Sequence, residues 1–98
     1  MKVHELKCWP AYYKEVLARR KTAEFRKDDR DFMEGDFLFL REYEPEEETA
    51  QPLKVAAHYT GKMALVKITH VLYDQPAIGL PPGYCVLSIQ LLWFGEGK

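Results

Sequence analysis

Polar and apolar residues alternate along several short stretches of this chain, and this two-residue period constrains the fold more than any other feature. In VHELKC, at 3–8, His4, Leu6 and Cys8 fall on one face and the residues between them on the other. Strands with one buried face show this pattern. The stretches with a strand pattern are 3–8, 22–27, 37–44, 61–73 and 84–94, the last with Cys85, Leu87, Ile89 and Leu91 predicted to face inward.

One stretch, WPAYYKEVLARRK, has a helical period instead. Its apolar stripe begins at Tyr12 and Tyr13 and continues one turn later, and Pro10 suits a first helical turn. We expect a helix over about 10–19, with the three cations at 19–21 near its C-terminal end, where they complement the helix dipole. One helix and four or five strands favour an α+β fold, a small curled sheet or barrel with the helix packed against it.

The length of 98 residues suits one domain, 1–98, with a modest core. No apolar run approaches the roughly 20 residues of a membrane-spanning helix, so we expect no membrane partner. The N-terminus carries no hydrophobic signal segment, which favours a cytoplasmic protein. The acidic, proline-containing stretch 45–60 is predicted to be a loop, in which KVAAH could add a short turn or strand.

The two cysteines, Cys8 and Cys85, are too few for a disulfide framework. Reduced, packed thiols are the favoured interpretation, although the pair could form a disulfide if their strands are neighbours. The histidines His4, His58 and His70 occur in no C-x-x-C or H-x-H pair, so no metal is predicted. No glycine-rich phosphate loop is present, and we expect no cofactor.

Charge is distributed unevenly along the chain. Residues 1–30 hold nine Lys and Arg against five Asp and Glu, whereas 31–51 hold one against eight. Residues 52–98 hold four against two. This pattern suits a defined anion site better than uniform coating of DNA.

The stretch RRKTAEFRKDDRD in the basic part of the chain combines cations with strand alternation. Thr22, Glu24 and Arg26 share one face, Lys21 lies at the turn beside it, and Lys27 is predicted to point the opposite way. A guanidinium suits a phosphate or a base edge, a lysine adds a mobile cation, and a carboxylate accepts from an exocyclic amine. The alternative is a structural ion pair of Glu24 with Arg26 or Lys21.

Aromatic residues flank the start of the predicted helix. Trp9, beside Pro10, is the best candidate for stacking on a base. Tyr12, Tyr13 and Phe25 are more typical of core residues.

RRKTAEFR resembles the G-x-K-x-x-E-x-R signature of the ASCH superfamily, whose small domains are similar to the PUA fold. Lys21, Glu24 and Arg26 match, and Arg19 stands where that signature has glycine. The blocks HELKCWPAYY, FRKDDRDFMEGDFLFLREYEP, YTGK and GYCVLSI resemble, in order, a bacterial and phage branch of unknown function. Residues 47–58 look like an insertion.

The resemblance implies a PUA-like β-barrel with one main helix and a cleft floored by the motif. It implies a module that binds RNA or a modified nucleoside or nucleotide. The residues that we assign to this site are Lys21, Glu24, Arg26, Thr22 and Trp9. A protein-interaction module that uses the acidic loop is a further possibility.

A hydrolase acting on an acylated nucleoside or RNA is the alternative. The lysine of the similar amidohydrolase branch corresponds to Lys21. Its threonine nucleophile falls at Glu24, so no catalytic residue is assigned and a non-enzymatic role is expected. Thr22 is two positions too early, and Asp74 is the only carboxylate in the segment directly before the last strand.

Overall fold

The computed structural model describes residues 1–48, 54–73 and 79–97. Asp74 therefore lies outside the described residues, as does the segment 49–53 of the predicted loop. The described elements are, in chain order, β1 (Val3–Cys8), α1 (Pro10–Leu17), β2 (Ala23–Lys27), β3 (Phe37–Glu44), β4 (Glu47–Glu48), β5 (Lys54–Val55), β6 (His58–Tyr73) and β7 (Tyr84–Glu96).

Five of the strands form one sheet, in the order β1-β3-β6-β7-β2. β1 runs parallel to β3, and the other neighbours are antiparallel. The sheet curls until its two outer strands face each other. Across the gap between them, Arg26 donates to the carbonyl of Lys7 at 2.9 Å and Arg30 to the carbonyl of Glu5 at 2.6 Å. The protein is thus mostly β and barrel-like, with one short helix, as the α+β prediction requires.

The inner face of the curled sheet holds the core. Burial alternates along β1, β3 and much of β7, which confirms the inward faces predicted from the sequence, although Leu91 is only partly buried. Both cysteines are buried free thiols. The fully buried side chains with the largest volumes are Phe32, Leu38, Leu40, Ile68, Leu87, Val16, Val66 and Cys85.

The helix packs on this core through Tyr13 and Val16. It ends two residues before the predicted boundary because the backbone of Arg19 turns to a φ of +62°, which no helical residue adopts. The prediction that Tyr12 is a core residue is wrong. The helix buries only the face of Tyr13 and Val16, and Tyr12 is more than half exposed.

Phe25 is also exposed, against its assignment to the core. β2 is an outer strand of the sheet, and its more buried face is the one that carries Glu24 and Arg26. Strand alternation therefore turns Phe25 outward, where its ring stacks on Tyr84 at a centroid distance of 5.3 Å.

The predicted loop 45–60 contains more structure than expected. Glu47 pairs with Val55 and Glu48 with Lys54 in a small antiparallel ribbon, so KVAAH does contribute a short strand. β6 begins at His58, three residues before the predicted start.

A buried polar pair fastens the start of β1 to the turn before β3. Nε2 of His4 lies 2.9 Å from Oδ2 of Asp36. The carboxylate also accepts from the backbone N–H groups of Lys2 at 3.0 Å and Met33 at 3.2 Å. Burial raises the pKa of Asp36, but these three hydrogen bonds outweigh it, and the pKa lies below its ordinary value.

Candidate functional site

Two cations share one carboxylate at the start of β2. Nζ of Lys21 lies 2.6 Å from Oε1 of Glu24, and Nε of Arg26 lies 2.7 Å from Oε2. Lys21 also donates to the carbonyl of Ala23. The local sequence explains this arrangement, because Glu24 and Arg26 are two positions apart on the same strand face and the turn after the helix returns Lys21 to it. Lys21, Glu24 and Arg26 therefore lie together, and Glu24 is paired with both cations, as the structural ion-pair alternative predicts.

Arg26 belongs to this cluster and to the seam of the sheet. Its Nε bonds Glu24, and its Nη2 donates to the carbonyl of Lys7. Its third nitrogen, Nη1, has no hydrogen-bond partner among the described residues. The guanidinium is thus held in position from two sides and keeps donor capacity for an incoming acceptor.

A cleft of about 460 Å³ opens beside this network, between the end of β1, the start of the helix and β2. Trp9 and Tyr12 contribute from one side and Phe25 and Tyr84 from the other. Trp9, Tyr12 and Phe25 are each more than half exposed, so their ring faces are accessible to a ligand. The residues that line the cleft are Lys7, Cys8, Trp9, Tyr12, Glu24, Phe25, Arg26, Lys27 and Tyr84.

Cations outnumber carboxylates around the cleft. Lys7, Arg26 and Lys27 line it together with the single acid Glu24, and Lys21 reaches that acid from outside. Lys27 is on the opposite strand face from Arg26, as predicted, but it still borders the opening. The side chains that line the cleft therefore carry a formal net charge of +2, although the chain as a whole has a net charge of −1.

Cys8 contributes a thiol to the wall of the cleft. Burial is the main cause that raises its pKa to about 11; the nearby charge of Glu24 also raises it, and those of Lys21 and Arg26 lower it. The thiol is therefore protonated at neutral pH. A protonated thiol is a weak nucleophile, so Cys8 lines the site without being activated in it.

Thr22 does not line the main cleft. It lines a second, smaller cavity between the end of the helix and β7, and its backbone carbonyl accepts from the N–H of Ile89 at 2.9 Å. Trp9, Glu24 and Arg26 line the main cleft, whereas Lys21 lines the smaller cavity and reaches Glu24 with its amine.

The cleft-lining residues that the sequence analysis did not assign to the site are Lys7, Cys8, Tyr12, Phe25, Lys27 and Tyr84. Tyr84 directly precedes the inward-facing Cys85, so strand alternation turns it outward, and this signal was available. Its contact with Phe25 depends on the pairing of β2 with β7, which brings together residues far apart in sequence. Lys7 lines the cleft because the curl of the sheet brings β1 opposite β2.

Two other features are absent from the described ranges. No group of three or more His, Cys, Asp or Glu side chains there is arranged to hold a metal ion. Nor does any helix in those ranges have the length and apolar character needed to cross a membrane.

The fold and the cleft together define a small, mostly β protein with a positively charged, aromatic-lined cavity at the seam of a curled sheet. The chain belongs to the family described as Domain of unknown function (DUF3850), whose match covers residues 3–89. All the residues that line the main cleft fall within that range.

The chain is also similar to an uncharacterized 12.9 kDa protein in the GpA 3′ region of Escherichia phage P2. The two are 37% identical over 70 residues, which is 71% of this chain. The match spans about half of the phage protein, 54% of its length.

Proposed function

We propose that this protein is an RNA- or modified-nucleoside-binding module of the ASCH type, in which a cleft of a PUA-like barrel takes the ligand. The observation that carries the proposal is the pair of cations held on one carboxylate beside aromatic side chains. Glu24 neutralises one of the two charges, so the cluster keeps a formal charge of +1. Because Glu24 holds Lys21 and Arg26 in place, little side-chain entropy is lost when an anion binds.

The aromatic walls supply the second part of the recognition. A base entering between Trp9 and Tyr12 on one side and Phe25 and Tyr84 on the other has ring faces available for stacking. The phosphate then lies toward the guanidinium of Arg26. The Glu24 oxygens retain lone pairs beyond those used by the two cations, and these can accept from an exocyclic amine.

The hydrolase alternative has less support in the site. Cys8 is protonated at neutral pH, and the hydroxyl-bearing Thr22 lines the smaller cavity beside Lys21. A hydroxyl nucleophile requires an adjacent base, and Glu24, at the position of the expected threonine, is already bonded to two cations. A turnover screen on acylated nucleosides and on RNA tests this alternative directly. The possibility of a protein interaction through the acidic loop depends in part on residues outside the described ranges.

The proposal is tested by replacing Arg26 and measuring both folding and binding. Arg26→Ala removes a charge-assisted contact, and affinity for single-stranded RNA should fall by about 1–3 kcal/mol, the scale of one good bidentate contact. Fluorescence polarisation with a labelled RNA of about a dozen nucleotides measures the affinity. Thermal unfolding of the same sample shows whether the variant is folded.

Arg30 provides the matched control. Like Arg26, it donates from its guanidinium to a β1 carbonyl across the seam, but it does not line the cleft. Arg30→Ala should therefore change RNA affinity much less than Arg26→Ala. Lys27 is a poorer control, because it borders the cleft. Equal RNA affinities for the wild type and Arg26→Ala, together with a lower melting temperature for the variant, would reject the proposed site.

A further inference from the structure

The second cavity lies beside the main cleft, on the other side of Lys21. It has a volume of about 220 Å³, roughly half that of the cleft. Lys21 lines this cavity, while its amine bonds Glu24 of the cleft. Val16, Ile89, Leu91, Thr22, Gln90 and Arg19 complete the lining. Lys21 thus connects the linings of the two cavities.

Arg19 is the distinctive residue of the second cavity. Its φ of +62° places it in the left-handed region, which is unfavourable for a residue with a Cβ and costs glycine nothing. Strained backbone persists where the surrounding structure maintains it, and such positions cluster at functional sites. The strain therefore raises the question of what an arginine does at this position.

The charges next to Arg19 suggest an answer. Arg20 is paired with Glu15 through two hydrogen bonds, of 2.5 and 3.0 Å, and Lys21 is paired with Glu24. Arg19 has no ion-pair partner among the described residues. It is an uncompensated cation that lines a cavity with an apolar floor, next to the site proposed to bind nucleic acid.

One lining residue of each cavity lies on the helix, and this pair gives a scale for the spacing of the two cavities. Tyr12 lines the cleft and Val16 the second cavity, and they are one helical turn apart on the same side of the helix. That separation is about 6 Å along the helix axis. Two adjacent nucleotides of a single strand can span it, whereas a lone nucleoside fills only one of the cavities.

We infer that the second cavity is a second nucleotide subsite, in which Arg19 contacts a phosphate, so the ligand is a single strand of RNA rather than a free nucleoside. The apolar side chains of Val16, Ile89 and Leu91 pack against the sugar or base. Thr22 gains a role here, as a hydrogen-bonding group of the second subsite. This inference rests on the proposed function of the main cleft.

The test compares Arg19→Gly with the wild type on two probes. The probes are a labelled single-stranded RNA of about a dozen nucleotides and unlinked nucleoside 5′-monophosphates. Arg19→Gly should weaken RNA binding about fivefold, the order expected for one exposed cation–phosphate contact, and leave monophosphate binding unchanged. The slope of log affinity against log salt for RNA should become shallower by about 0.7, the value for one phosphate contact to a single strand.

Two further variants exclude structural explanations. Arg20→Ala removes a neighbouring cation that is already paired and lines neither cavity, and its RNA affinity should stay near the wild-type value. Arg19→Lys keeps the charge and should recover most of the RNA affinity. A loss of RNA affinity in Arg19→Gly cannot be attributed to unfolding if its melting temperature is equal to or above that of the wild type.

The outcomes distinguish this inference from the proposed function. Unchanged RNA affinity and salt slope in Arg19→Gly, with both probes weakened by Arg26→Ala, would overturn the second subsite and leave the main site standing. Failure of the wild type to bind either probe would overturn the proposed function itself. Equal losses on both probes in Arg19→Gly would also contradict a separate subsite.

Discussion

Two charged clusters join distant parts of this chain, and they differ in their access to solvent. His4 and Asp36 have side chains only 7% and 6% exposed, and the carboxylate receives three hydrogen bonds from within the fold. In the other cluster the exposed fractions are 13% for Glu24, 23% for Lys21 and 29% for Arg26. Both clusters are paired, so pairing alone does not identify a site. The difference is that the second cluster keeps donors at the edge of a cavity.

The comparison first predicts a large stability loss from Asp36→Ala. The change leaves a buried ring nitrogen of His4 and the part-buried backbone N–H groups of Lys2 and Met33 without their acceptor. The free energy of unfolding should fall by about 3–5 kcal/mol, the usual result of removing one partner of a buried pair. Denaturant titration with linear extrapolation measures it.

Glu5→Ala is the control for that prediction. Glu5 pairs with Arg41 at 3.4 Å on the solvent side of β1, and more than half of its side chain is exposed. Its removal should change the free energy of unfolding by less than about 1 kcal/mol. Comparable losses for Asp36→Ala and Glu5→Ala would show that burial does not determine how much stability is lost when a charged partner is removed.

The buried pair also predicts a loss of stability in acid. The pKa of Asp36 is lower in the folded protein than its ordinary value of 3.8, so the unfolded chain binds the proton more tightly. The stabilisation is therefore fully present above about pH 4 and is lost as the pH falls through the folded-state pKa. Unfolding titrations across this range should show a steeper acid decline for the wild type than for Asp36→Asn. Parallel curves for the two proteins would contradict the assignment.

The sequence is sufficient to predict the strands that carry the core. In β1, in β3 as far as Glu42 and in β7 as far as Ile89, one face is buried, so alternation in the sequence translates directly into burial. The order of the strands is not accessible in this way. The parallel pairing of Val3 with Phe37 and the curl that brings β1 opposite β2 depend on contacts between distant segments.

The candidate site was only partly predictable for the same reason. Spacing on one strand is enough to bring Glu24 and Arg26 together. The direction of Phe25 was wrong, because alternation defines two faces of an outer strand but does not say which one turns inward. Thr22 is two residues before Glu24 and was therefore expected on the same strand face. It directly precedes β2, however, and lines a different cavity. The end of the helix at Leu17 depends on the backbone of Arg19, which the helical period does not reveal.

A third prediction concerns the partly exposed cluster of Lys21, Glu24 and Arg26. Glu24→Gln keeps the shape of the side chain but removes the charge shared by Lys21 and Arg26. The free energy of unfolding should fall by about 1–2 kcal/mol, less than for Asp36→Ala, because the cluster is partly solvated. Added salt should narrow the difference from the wild type, since it screens accessible charges more than buried ones. If Glu24→Gln lowers the free energy of unfolding as much as Asp36→Ala does, and added salt does not change the effect, the two clusters do not differ in their access to solvent.

The smallest predicted effect is a gain in stability from Arg19→Gly. At a φ of +62° glycine avoids the contact between Cβ and the following carbonyl, and this gain exceeds the extra freedom that glycine has in the unfolded chain. We expect the free energy of unfolding to rise by about 0.5–1 kcal/mol. Ala18→Gly, one residue earlier at a helical φ of −77°, should instead lower it by a similar amount. If glycine destabilises both positions alike, Arg19 stabilises the fold through contacts of its side chain. If only Arg19→Gly stabilises, the arginine is maintained for something other than folding, as expected of a residue that binds a ligand.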